Sequence, residues 1–491
     1  MKFNIFIFLN TLIISEVATN YIIIPFDTFI YNPKNNTILQ NDILSMKLYE
    51  DIYSNISMAN PAQNIKTLLR LDKYEITIKE PKYNSSLSNS FKLKSIQDKL
   101  IGNESFYFLT IDSLEELNKY IKDEGMSTKN IDKNFYKEYK DIKFVYINET
   151  SNYKFLEKEL NDREIEKIIA YNYSMLGLRL RFMYSDYYPD FIQSLREMKI
   201  INSSIFTFYI NNNKKENGHY GYLIIGDKFT DTEKEFEETN STFFSQRGSS
   251  LSWDIRIDNI YSEAKSNSKY NEIYLEKDLK VELIIEKSYI LGTKNYKSFI
   301  ENAFFNELIG YNICQYKNSL MEHSYGTYVC DSTSKIFLDF YNNKFPELIF
   351  KTGRITDELI LNKNDLFFYN KYNKSDTNIY FMIFFSTIYT SKWMLSRAFL
   401  EKYRLSFNLD TRFIEYHKKK FSENKIENET KENDRNNDNI YLIIKIVAII
   451  FLVSIIFLLG FLFHKLITRK PRKQKANELN DDFDYSSINK S

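Results

Sequence analysis

Tyr53-Ser54-Asn55-Ile56-Ser57-Met58-Ala59-Asn60-Pro61-Ala62-Gln63 opens on an alternation of apolar and polar residues, the period of a strand with one face in a core. Further runs rich in Ile, Phe, Tyr, Val and Thr follow it at Lys66 to Ile78, Ser105 to Ile111, Ile142 to Ile147, Ile205 to Ile210 and Tyr220 to Ile225. The series continues with Val281 to Leu291, Lys335 to Phe340 and Ile379 to Phe385. Helical periodicity is confined to short segments, Phe191 to Lys199, Tyr296 to Leu308 and Arg397 to Tyr403. Strands outnumber helices, and their spacing predicts a large, mainly β body of two lobes.

The chain has 491 residues, enough for two lobes with appendages. Hydrophobic residues make up 43% and aromatic residues 16%, which is enough to fill a core and argues against disorder. With 66 basic and 65 acidic side chains the net charge is +1, so nothing in the charge draws the protein to nucleic acid. Glycine is scarce. There are 12, where average usage would give about 34, so a fold that relies on glycine turns must make many of them another way.

Residues 1–19, with Lys2 followed by a short Ile, Phe and Leu run, read as a signal peptide. Residues 20–47 are a short candidate pro-segment. Ile440 to Phe463 is long and apolar enough to span a bilayer, and Lys465, Arg469, Lys470, Arg472, Lys473 and Lys475 follow it as a cytoplasmic flank would. The expected topology is single-pass type I, in the secretory pathway or at the cell surface. A polar stalk occupies 418–439 and a tail 464–491. The lobes are expected at 48–210 and 211–417. Sequons recur on the non-cytosolic side, with Asn84, Asn103, Asn148, Asn240 and Asn373 among the glycosylation candidates.

The two cysteines, Cys314 and Cys330, both fall where an oxidising compartment lets a pair close. No close Cys/His cluster suggests zinc, and no phosphate-cradling glycine loop is present, so neither metal nor cofactor is expected.

Several local patterns then fall in the order of the pepsin-like aspartic proteinases. Tyr53 to Gln63 resembles that family's first-lobe hairpin with its Gly-x-Pro-x-Gln turn, Ala59 taking the usual glycine place. Ser174-Met175-Leu176-Gly177-Leu178 resembles the apolar-Gly-Leu element of the first lobe. Phe191 to Leu195 with Ile200 to Tyr209, and then Gly221 to Gly226, are similar to the segments leading into the second lobe. Trp253 to Ile257, Cys314, Tyr328 to Cys330, Phe345 to Phe350 and Trp393-Met394-Leu395-Ser396-Arg397-Ala398-Phe399-Leu400 continue the series through nearly the whole ectodomain. The resemblance implies the bilobal pepsin-like aspartic proteinase fold.

That family's chemistry needs two Asp-Thr/Ser-Gly turns whose carboxylates share a proton, because like charges a few ångströms apart cannot both ionise. Counting without gaps from Gln63 puts Arg70-Leu71-Asp72 on the first turn, with Arg70 in the carboxylate's place. Counting back from Gly292 puts Ile284-Ile285-Glu286 on the second, with Ile284 in that place. Asp72-Lys73 and Glu286-Lys287 stand where the glycine step belongs. One reading is a pseudo-enzyme whose lobes meet through Asp72/Lys287 and Glu286/Lys73 ion pairs. The rival shifts both strands by two residues and makes Asp72 and Glu286 the catalytic pair of an aspartic endopeptidase. Such a slip keeps each side chain on its face, but Cβ sterics resist the Thr-Gly geometry at the residues that follow. The flap is expected near Phe91 to Asp112, with Ile101 to Ser105 as its remnant glycine turn and no tyrosine in the usual place before it.

The resemblance therefore implies a membrane-anchored, monomeric, catalytically degenerate homologue whose interlobe cleft holds a peptide or protein partner, with no nucleic acid. An active endopeptidase and an unrelated surface adhesin or receptor are the alternatives.

Overall fold

Pairing across long sequence separations organises this molecule. The structure is a computed structural model that describes residues 21–30, 42–73, 75–80, 82–96, 99–122, 136–147, 173–179, 190–210, 219–227, 236–237, 242–244, 253–266, 269–320, 324–353, 358–370, 376–387 and 392–419. Among these residues the strands form two sheets, of 14 and 11 strands, so the protein is mainly β. Both sheets belong to one compact unit that runs to Lys420.

Tyr21–Ile30 sits inside the first sheet. It pairs antiparallel with Gly221–Gly226, from Ile22↔Ile225 to Phe26↔Gly221, and further along with Glu50–Met58. Its alternation explains the placement: Ile22, Ile24 and Phe26 enter the main core, while Tyr21 and Ile23 face Leu117, Tyr120 and Ile121 of the helix Leu114–Lys122. The strands Gly221–Gly226, Tyr403–Asn408 and Phe413–Lys419 join this first sheet, although their sequence positions lie beyond residue 210.

Glu50–Met58 and Gln63–Arg70 pair from Tyr53↔Leu68 to Met58↔Gln63. In the turn between them Ala59 has φ 78°, a left-handed conformation that costs an L-residue about 1–2 kcal/mol. Ala59→Gly is expected to leave stability within about 0.5 kcal/mol. The relieved strain offsets a lost buried methyl and a freer unfolded chain, each worth roughly 0.5–1 kcal/mol. Urea denaturation checks this, and a loss above about 1.5 kcal/mol would mean that the methyl governs the site.

Three local expectations change. Lys335–Asn343 is a helix, not a strand: the Ser334 side chain caps it by accepting from Phe337 N. Phe337 and Phe340, three residues apart, are buried, while Ile336 and Leu338 stand 44% and 40% exposed, which is helical spacing. The Ile101 to Ser105 turn is absent, because Lys99–Ile111 is one strand that pairs with Lys92–Ile96 from Lys92↔Asn103 to Ile96↔Lys99. Gly102 instead lies so close to the Phe144 ring that a Cβ there would sit 2.6 Å from it. Finally, the runs Lys66 to Ile78 and Val281 to Leu291 each break into two strands, with Arg70 and Leu283 ending the first of each.

Cys314 and Cys330 are bonded and face each other across Cys314–Asn318 and Tyr325–Asp331. Among the described residues no helix is long and apolar enough to cross a membrane. The expected signal peptide, nearly all of the stalk, the span 440–463 and the tail lie outside the described residues.

Candidate functional site

Each sheet contains one crossing in which a short strand lies between two others, parallel to the first and antiparallel to the second. In the first sheet Ser174–Gly177 runs parallel to Gln63–Arg70, with Leu68↔Met175 and Arg70↔Gly177, and antiparallel to Ile76–Lys79, with Thr77↔Met175. In the second, Met394–Leu395 runs parallel to Lys269–Leu283, with Glu282↔Met394, and antiparallel to Ile290–Gly292, with Leu291↔Met394. The same number of residues separates Leu68 from Glu282 and Thr77 from Leu291. By register, Arg70 thus corresponds to Ile284, and Asp72 to Glu286. Leu71 and Ile285, between them, are both buried in the main core.

Arg70 ends its strand with its guanidinium among three carboxylates. Nε donates to Asp72 Oδ1 at 2.8 Å and Nη2 to Asp72 Oδ2 at 3.1 Å, a bidentate pair. Nη1 donates to Asp51 Oδ2 at 3.4 Å. Nη2 lies 3.8 Å from Glu286 Oε1, the contact that joins the two crossings. Ile284, in the corresponding place of the second sheet, is apolar and buried, and its N–H donates to Leu395 O. The expected Asp72/Lys287 and Glu286/Lys73 pairs give way to this arrangement, in which Lys287 Nζ donates to Leu48 O at 3.5 Å. A guanidinium has five donors in a planar fork and can serve several carboxylates at once, which a lysine ammonium does less well.

The three acids differ in how well they are served. Burial alone would raise Asp72, but the Arg70 guanidinium outweighs it and holds the carboxyl at about 2. Asp51 is fully buried, and desolvation raises it despite Arg70 and the N–H of Ile52. Glu286 is pushed up to about 7: burial is the largest cause, Arg70 offsets only part, and the charges of Asp72 and Asp51 add to the rise. Glu286 Oε2 is buried with no hydrogen-bond partner among the described residues. Arg70 cannot fully neutralise three anions, two of them buried, so the worst-placed carboxylate holds its proton most tightly.

A second ion pair flanks the first. Glu50, the residue before Asp51, lies 3.6 Å from Arg397 Nη2 and 2.7 Å from Lys47 Nζ. Burial would raise Glu50, yet Arg397 and Lys47 together bring it down to about 2. Arg397 begins the helix Arg397–Lys402, directly after the second crossing. Adjacent strand residues point to opposite faces, so Glu50-Asp51 reaches an arginine on each side. The sequence signal for these partners was the acidic pair at the head of the hairpin, unusual beside a buried strand.

The chain before this pair ties the sheets together. Ile43–Leu48 is a helix capped by Asp42, whose carboxylate accepts from Leu44 N and also from Leu320 N at 2.8 Å. Ile43, Leu44, Leu48 and Tyr49 pack on Tyr289 and on Val329, Tyr380 and Phe384 of the second sheet, and Ser45 shares a 2.6 Å hydrogen bond with Ser319. Trp253 makes a reciprocal link by donating from Nε1 to Leu178 O at 2.8 Å.

Of the glycosylation candidates, Asn84 is exposed and caps the turn Ser85–Leu87, and Asn103 is partly exposed on a strand between Lys92 and Lys143. Asn148, Asn240 and Asn373 lie outside the described residues. Among the described residues no group of three or more His, Cys, Asp or Glu could hold a metal ion. Set against known proteins, the chain matches no family model and no curated protein.

Proposed function

We propose that this is a type I membrane-anchored relative of the pepsin-like aspartic proteinases that has lost ordinary peptide cleavage and uses the space between its two sheets to bind an extended peptide or partner segment. The observation that carries the reading is Arg70. A guanidinium bonded to Asp72 and Asp51, with buried Ile284 at the corresponding place, supplies neither the paired carboxylates nor the proton they share. Sheet edges and a face between lobes suit an extended segment, whose main chain can pair while alternate side chains are read.

The rival reading, an endopeptidase using Asp72 and Glu286, draws on the split between a carboxyl at about 2 and one at about 7. A split of that kind assigns a base and an acid. Against it, Asp72 is held by two bonds to Arg70 and is not free to activate water.

Incubation of the protein with a mixed peptide library from pH 3 to 7 separates the two. No cleavage, together with retained peptide binding, is the expected result. Cleavage that is blocked by a transition-state inhibitor of aspartic proteinases and lost in Asp72→Asn would overturn it.

A further inference from the structure

Lys66, Leu68 and Arg70 alternate along Gln63–Arg70 and share a face. Lys66 Nζ stands 3.8 Å from the ring centre of Phe29, 4.0 Å from that of Tyr53 and 5.8 Å from that of Tyr173. Three separate parts of the chain supply these rings. Phe29 meets Tyr53 edge-on at 5.4 Å and Tyr173 at 5.3 Å, so the rings brace one another. Leu68 and Met175 pack beneath them. Phe29 and Tyr173 also pack against the cluster formed by Ile43–Leu48 and the second sheet, which puts the box at the junction of the sheets.

Ring faces attract an ammonium but satisfy little of its capacity to donate three hydrogen bonds. Arg70, four residues on, has three carboxylates around it. Among the described residues no carboxylate pairs with Lys66. Burial disfavours its charge, and Lys82, of like sign, adds to that. Lys66, Phe29, Tyr53 and Tyr173 are all partly exposed. The result is a cation held in place by aromatic walls and short of an anion. Its ordering cost is already met in the fold, and a half-dry setting strengthens its attraction for negative charge.

We propose that Lys66 and its three rings form the subsite that selects the bound segment, by taking the carboxylate of an Asp or Glu side chain. This rests on the reading above that the space between the sheets binds an extended peptide, and it adds the chemistry of that peptide. The partly exposed rings of Phe29, Tyr53 and Tyr173, held from beneath by buried Leu68 and Met175, supply apolar contact for the carbons of the acidic side chain, and Lys66 supplies the charge.

The full-length chain, as wild type, Lys66→Met and Lys66→Arg, is measured against an array of extended peptides made in pairs that differ only by Asp or Glu against Asn or Gln. The wild type is expected to bind the acidic member of some pairs about tenfold more tightly, the scale of one hydrogen-bonded charge. Lys66→Met should bind both members alike, and Lys66→Arg should keep the preference. Matching melting temperatures for wild type and Lys66→Met exclude misfolding as the cause. Peptide binding without any acidic preference, or a preference that survives in Lys66→Met, overturns the subsite and leaves the peptide-binding reading intact. An array on which the wild type binds nothing overturns both.

Discussion

Arg70→Met is expected to destabilise the fold by about 3–5 kcal/mol at pH 7, the usual cost of removing one partner from a buried ionic cluster. Methionine fills much of the volume, so the loss is electrostatic. Asp51 is fully buried, Glu286 is already partly protonated near pH 7, and Asp72 keeps about a third of its side chain exposed at 34%, so Asp51 carries most of the cost. The sign with pH follows. Asp72 has a folded-state value held below its ordinary one, so the wild type has that stabilisation in full above about pH 4 and loses it as pH falls toward 2. In the variant the buried Asp51 and Glu286 lose the guanidinium and take up protons more readily on mild acidification, so the gap between the two proteins should narrow from pH 7 to pH 4. Urea denaturation at both pH values tests this. A variant within about 0.5 kcal/mol of the wild type at pH 7 would show that Arg70 does not hold the crossings together.

Glu286→Gln should do the reverse and stabilise the protein at neutral pH, although it removes a contact between the sheets. Glu286 titrates at about 7 in the fold against an ordinary 4.5, so the folded state holds its proton more tightly than the unfolded chain does. The wild type therefore loses stability as pH rises from about 4.5 through 7 and carries the full penalty above that, on the order of 3 kcal/mol. Glutamine cannot ionise. The variant should match the wild type near pH 4.5, exceed it by roughly that amount at pH 8 and show a flatter profile between. Thermal melts across this range decide the matter, and a variant less stable than the wild type at pH 8 would mean that the 3.8 Å Arg70 contact outweighs the cost of burying the charge.

These two effects turn on residues whose positions could be counted from the sequence but whose partners could not. Counting forward from Gln63 and back from Gly292 put Arg70 opposite Ile284 and Asp72 opposite Glu286, and the strand registers give the same correspondence. The pairing of charges differs from the expected one. Lysines next to each acid suggested exchange between the turns, whereas the end of the first strand aims Arg70 at all three carboxylates. Asp51 entered the cluster only because Glu50–Met58 lies beside Gln63–Arg70 in register. Lys335–Asn343 departs from the expected strand for a different reason: a short aromatic run has no clear period, and the cap at Ser334 favours the helix.

By itself the sequence determined the mainly β character, the hairpin through Pro61, the pairing of its only two cysteines and the correspondence of Arg70 with Ile284, because these depend on local alternation, composition and counting. The tertiary structure alone decided that Tyr21–Ile30 lies inside the first sheet, that Ile43–Leu48 ties the two sheets together, and that Lys66 sits among rings from three separate stretches of chain. The physical reason is that a strand's alternation states which face it buries but not which strand it pairs with. Both the energy of an ion cluster and the closure of an aromatic box depend on that partner.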